Sequence, residues 1–209
     1  MAPNKGAIMS EISEAIEKAK EGEKIEIGEG FNRKVALVIA ILALFLSFSE
    51  TLGKGAQTEV TTKNIEASDL WGFFQAKNIR MTQITTAAEE MTVAAAGATD
   101  PAAKDAMQKQ IDAWKKNVER IDTEPKTGRK DIEEQAKHAE EERDLSTAKY
   151  HHYELSSAAF QVGIVLASAA VITGMAGLAW LAGLLGVVGL GLLALGLFAP
   201  HAVPFIASL

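Results

Sequence analysis

The stretch VALVIAILALFLSFSETL, residues 35–52, carries no charge before Glu50. Its 18 residues make a helix of roughly 27 Å at 1.5 Å per residue, enough to cross the hydrocarbon of a bilayer. Ser47, Ser49 and Glu50 crowd its C-terminal end and place that turn among headgroups, with the Glu50 carboxylate hydrated. The residues before it are rich in Glu, and no small-residue cleavage site follows convincingly. The segment therefore reads as an uncleaved anchor rather than a signal peptide.

A second apolar stretch, Leu155–Leu209, contains no Asp, Glu, Lys or Arg and is too long for one span. Two glycines in Thr173-Gly174-Met175-Ala176-Gly177 can break and turn a helix. The expectation is a hairpin of spans at about 155–173 and 178–198, closed by Pro200 and Pro204. Gly163/Ala167, Ala179/Gly183 and Ala182/Gly186 repeat the small-xxx-small spacing of closely packed membrane helices. Gly186, Gly189 and Gly191 do not form a dinucleotide loop, because the spacing and the strand–turn–helix context are wrong. Tyr150, His151, His152 and Tyr153 stand where the second span begins and read as an interfacial aromatic belt, with Trp180 near the hairpin in the same role. Arg33 and Lys34 flank the first span, so the positive-inside rule expects a cytoplasmic N-terminus and a periplasmic middle segment.

That middle segment, residues 53–154, holds most of the charge. Leu70, Phe74, Lys77, Met81, Ile84, Ala88 and Met91 alternate spacings of four and three, which predicts a helix from about Thr58 to Ala96 with one narrow seam. Asp100-Pro101 is an N-cap followed by a first-turn proline. The next helix carries Met107, Ile111, Trp114, Val118 and Ile121 on its seam and ends at Glu124-Pro125-Lys126-Thr127-Gly128. A third begins near Arg129 with a weaker stripe of Ile132, Ala136, Ala139, Arg143, Ser146 and Tyr150. No breaker precedes Gly163, so this helix is expected to run unbroken into the second span. Seams this narrow suggest antiparallel coiled packing, and Phe73 and Trp71, exposed beside the first seam, suggest further burial supplied by oligomerisation. Residues 1–34 form a third region: Ile8, Ile12, Ala15, Ile16 and Ala19 share one face of a short acidic helix, and Gly22, Gly28 and Gly30 make a flexible approach to the membrane.

Composition narrows the chemistry. The mean hydropathy of +0.08 averages a membrane protein with an acidic soluble one. A net charge of −6 over 209 residues argues against nucleic acid, which needs clustered Lys and Arg. The absence of cysteine excludes disulfides, thiolate metal sites and a cysteine nucleophile. His138/Glu141 and His151/Glu154 have i, i+3 spacing but the reverse order of a carboxylate-bridged metal motif, in charged surroundings. They read as surface residues. No nucleophile elbow, phosphate loop or zinc protease motif occurs, so neither an enzyme nor a cofactor is expected.

Gln57-Thr58-Glu59 and the run Asn64-Ile65-Glu66-Ala67-Ser68-Asp69-Leu70-Trp71-Gly72-Phe73-Phe74-Gln75-Ala76-Lys77 resemble a bacterial membrane-protein family catalogued as domain of unknown function 4337. The resemblance covers nearly the whole chain. It implies a bacterial inner-membrane protein and transfers no catalytic residue. Read physically, Leu70, Phe73 and Phe74 should be buried, while Asn64, Asp69, Gln75, Lys77 and Asn78 could form a polar network fixing helix register. Asn64, Glu66, Asp69, Trp71, Phe74, Gln75 and Lys77 are the candidate interaction motif.

The fold expected is an all-α membrane protein: three transmembrane helices, and a three-helix, coiled-coil-like extramembrane insert whose last helix is continuous with the second span. The function expected is a non-enzymatic, homo-oligomeric scaffold or interaction module in contact with the lipid bilayer, its protein partner unknown. A pore or transport component is the alternative, disfavoured because the spans lack the charges that mark ion pathways.

Overall fold

The computed structural model describes residues 5–202, with side chains at 17, 18 and 30–202. Its elements are all helices: α1 (Lys5–Gly97), α2 (Pro101–Thr123), α3 (Arg129–Thr173) and α4 (Ala176–Phe198). Three of them contain segments long and apolar enough to cross a membrane. The chain divides into two compact units, one of Met1–Gly55 with Ala148–Leu209 and one of Ala56–Thr147. The apolar face at Ile8, Ile12, Ala15, Ile16 and Ala19 lies outside the described side chains, and Pro204 outside the described residues.

One expected interruption of α1 is absent. Residues 22–30, expected as a flexible approach, are helical, and the helix also runs on through Gly53 and Gly55. Each glycine costs a helix roughly 1 kcal/mol, but only proline removes a donor and clashes with the preceding turn. No proline occurs between Pro3 and Pro101. The expected breaks elsewhere do occur. Asp100 caps α2 by accepting from the Ala102 amide at 3.1 Å, with Pro101 at the first helical position. At the hairpin, α3 ends at Thr173, Gly174 adopts φ +70°, and α4 starts at Ala176. The left-handed conformation costs glycine nothing, so it reverses the chain there. The third insert helix is indeed continuous with the second apolar segment, as α3.

In the first unit α1 runs antiparallel to α3 and parallel to α4. Val35 clusters with Ala167, Ala170 and Ala182 near the hairpin turn. At mid-bundle, a Cβ added to Gly186 would lie 2.7 Å from Leu42 Cδ2, and one added to Gly163 3.2 Å from Leu42 Cδ1. Leu42 thus fills the space two absent side chains leave. Phe160, fully buried, stacks on Phe45 at 6.0 Å and covers Gly189. Tyr153 lies against Gly196 and Gly53 at the other end. Buried positions of α4 (Ala182, Gly186, Gly189, Leu193, Gly196) alternate four and three. Of the three small-residue pairs expected, Gly163/Ala167 and Ala182/Gly186 are buried, whereas Gly183 has open space around it.

In the second unit the α1 seam is legible in burial: Leu70, Phe74, Lys77, Met81, Ile84, Ala88 and Met91 are all buried or half-buried. The same spacing extends back to Lys63 and Ala67 and forward to Ala95. α2 packs along the Ile84–Thr92 part of α1 through Trp114 and Val118, leaving an open groove of about 480 Å³ between Glu89 and Lys115. The start of α3 takes over at Phe74, Trp71 and Lys63. The two shorter helices therefore follow one another along one face of α1 rather than closing a bundle around it. Phe73, expected to be buried, is 62 % exposed. Its neighbour Phe74 occupies the seam position, and successive residues on a helix do not share a face.

Candidate functional site

The candidate motif occupies four turns of α1 in the second unit. Only its seam-side members meet other helices. The Trp71 indole donates to Glu140 Oε1 at 3.0 Å and meets Phe74 edge-to-face at 5.3 Å. The Arg129 guanidinium lies 5.4 Å from the Phe74 ring centroid. Arg129 Nε also donates to Asp122 Oδ1 at 2.8 Å, while Lys130 Nζ reaches Asp122 Oδ2 at 3.1 Å. One residue before the motif, Lys63 Nζ bridges Glu66 at 2.9 Å and Glu142 at 2.8 Å.

This cluster fastens the start of α3 to α1. The edge-to-face pair contributes about 0.5–1.5 kcal/mol beyond its buried area. The cation over the ring adds on the order of 0.5–1 kcal/mol at such a partly wet site. Asn64, Asp69, Gln75 and Asn78 are exposed, and their side chains join no hydrogen bond among the described residues. Lys77 is half-buried on the seam. The expected polar network is thus replaced by an aromatic and ionic one. Its members Lys63, Glu140, Glu142, Asp122 and Arg129 escaped sequence reasoning. Lys63 alone had a signal, since it stands one heptad before Leu70. The others come together only through the α2–α3 loop.

The electrostatics favour charged, paired groups throughout. Hydrogen bonding to Lys63 holds the Glu142 carboxyl below its usual range, and Glu142 and Glu66 in turn push the Lys63 ammonium up. Lys137 lowers Glu133 in the same way. A general base or acid working near neutrality needs the opposite, a carboxyl raised or a lysine lowered by burial. His138 pairs with Glu142 at 3.6 Å rather than with Glu141, and His151 with Glu154 at 4.0 Å. Among the described residues, no three of His, Asp and Glu converge as a metal-ligand set.

The first unit holds a second polar cluster. Ser49 Oγ donates to the Tyr153 carbonyl and Ser156 Oγ to the Gly189 carbonyl, each at 2.8 Å. His152 Nε2 lies 3.1 Å from the Pro200 carbonyl. A carbonyl only accepts, so Nε2 is the donor, and the buried Nδ1 has no hydrogen-bond partner among the described residues. The expected aromatic belt needs correction here. Tyr150 and His151 are half-exposed, but His152 and Tyr153 point inward and are 0 % and 4 % exposed. Gly196 leaves the room they occupy.

A family model described as Domain of unknown function (DUF4337) matches residues 31–199. No curated protein and no solved structure matches the chain.

Proposed function

Since the chain belongs to the DUF4337 family, whose description assigns no chemistry, we propose from its geometry a non-enzymatic, multi-pass protein of a bacterial inner membrane, whose extramembrane helices form a homo-oligomeric scaffold or interaction module. The observation that carries this reading is the state of the ionisable cluster around Trp71 and Phe74. Its carboxylates are held ionised by lysine and arginine partners, which suits the fastening of helices and not proton transfer. Dense contacts in the first unit support the same reading over a pore. Leu42, Phe160 and Tyr153 fill the notches that glycines leave between three apolar helices of one copy.

Arg33 and Lys34 are exposed beside Val35, which clusters at the hairpin-turn end of the unit. By the positive-inside rule these two cations support a cytoplasmic turn, with the Tyr153–Pro200 end toward the periplasm. Mass measurement of the full chain extracted into nanodiscs tests the assembly: an oligomer is expected, and a monomer refutes it. Ion flux through liposomes carrying the verified oligomer separates the alternatives. No flux is expected of a scaffold, and sustained flux supports the pore.

A further inference from the structure

In the unit Ala56–Thr147 the large hydrophobic side chains left exposed all belong to α1: Ile65 at 56 %, Phe73 at 62 %, Ile79 at 59 % and Val93 at 76 %. Ile65, Ile79 and Val93 fall on one heptad ladder whose intervening members are Gly72 and Thr86. These five residues form a line along the side of α1 opposite its seam with α2 and α3. A solvated helix normally carries its charge there. The outward faces of the other helices do so, with Lys104, Asp105, Lys116 and Glu119 on α2 and Glu134 and Lys137 on α3 all exposed.

An interval of seven is the spacing at which a supercoiling helix presents the same side to its partner. α1 has that interval itself. It is also one helix from the apolar residues 35–52 to Gly97, so copies sharing a bilayer run parallel and bring like residues to like heights. Like can then face like only where no charge stands, and Ile, Gly, Ile, Thr and Val meet that condition. Gly72 allows close approach. Ile65, Ile79 and Val93, each more than half exposed, supply the apolar centre of a contact to which each partner of a stable interface gives ~800 Å². We infer that the Ile65–Gly72–Ile79–Thr86–Val93 line is the face on which two copies of this chain pair, parallel and in register. This names the surface for the assembly proposed above and rests on that reading.

The cysteine-free chain makes the test direct. Full-length Ile65→Cys, Ile79→Cys and Val93→Cys proteins are reconstituted singly in lipid vesicles and oxidised. Each is expected to give a disulfide dimer at a yield roughly ten-fold above Lys116→Cys on α2, since contact holds the thiols at high effective concentration. In nanodiscs, Ile79→Glu is expected to lower the oligomeric mass while keeping helical circular dichroism, because it sets two carboxylates against each other. Equal yields at Lys116 and on the line indicate random collision and overturn the inference. Dimers formed only by a mixture of Ile65→Cys with Val93→Cys indicate antiparallel pairing and overturn it as well. An oligomer that neither cross-links on this line nor responds to Ile79→Glu sinks the surface but leaves the assembly standing. A parent chain monomeric in nanodiscs removes both.

Discussion

The glycines of α4 allow a graded test of packing in the apolar unit. A Cβ on Gly189 would lie 2.7 Å from Phe160 Cε1 and 3.0 Å from both Cδ1 and Cζ. Phe160 is fully buried and stacked on Phe45, so its ring cannot swing aside without moving a second ring. Over-packing of this kind costs about 1–3 kcal/mol. Displacing the α4 backbone also strains the Ser156 hydrogen bond to the Gly189 carbonyl, of the kind that contributes about 0.6 kcal/mol between membrane helices. Against these stands a gain in helix propensity of up to ~1 kcal/mol for alanine over glycine. Gly189→Ala should therefore destabilise the unit by about 1–2 kcal/mol. Gly191 has nothing within 4 Å, so Gly191→Ala keeps only the propensity gain and should be neutral or stabilising. Gly186→Ala should fall between them, because the atom it meets, Leu42 Cδ2, ends a flexible side chain. The assay is reversible unfolding of the full chain in mixed bicelles, followed by tryptophan fluorescence. Adding Phe160→Leu to Gly189→Ala should restore at least half the loss. Gly189→Ala as stable as Gly191→Ala would refute the packing described here.

Other perturbations read different parts of the molecule. Ser49→Ala, which removes a buried hydroxyl bonded to the Tyr153 carbonyl, should cost about 0.6 kcal/mol in the same assay; no change would show the bond to be energetically idle. Asp122 is partly buried, which raises its pKa, but hydrogen bonds from Lys130 and Arg129 outweigh this and hold the carboxyl below its usual value. A depressed carboxyl contributes stability above its unfolded value of ~3.9, and that stability is lost as pH falls through the lower folded value. Asp122→Asn should lower the thermal midpoint of the full chain at pH 7 by an amount equivalent to about 1 kcal/mol and weaken the decline below ~pH 4, read by circular dichroism. Orientation can be probed with Thr127→Cys, which should label with an impermeant maleimide in intact spheroplasts; labelling only after lysis would invert the topology. Thr127 is exposed, whereas a side chain at Gly128 would meet the Glu124 carbonyl oxygen at 2.6 Å.

Much of the architecture is legible in local pattern. The Leu70–Met91 stripe, the Asp100-Pro101 start and the Gly174 reversal all stand where spacing and residue chemistry place them. Each depends on forces acting over a few residues: helical period, a side-chain cap, a positive φ. The misjudged places depend on distant partners or on a missing breaker. Gly22, Gly28 and Gly30 look like joints, yet without proline the helix continues through them. The four-three spacing puts Phe74 on the seam, and the exposure of its neighbour Phe73 follows from the same period. The partners that Trp71, Phe74 and Lys63 meet, Glu140, Arg129 and Glu142, come from the opposite end of the insert, which local spacing does not reveal.

What the sequence determines by itself is the division into apolar and charged lengths, the helical period and the turns, because hydrophobicity and backbone propensity are properties of residues and their near neighbours. It also carries the uncharged line from Ile65 to Val93, which needs nothing but a helical wheel to be seen. The tertiary structure decides that Gly189 and Gly196 cradle rings while Gly183 and Gly191 face open space. It turns His152 inward to the Pro200 carbonyl and joins Lys63 to Glu142. These follow from which helices lie side by side, and contacts between residues dozens of positions apart leave no trace in local spacing.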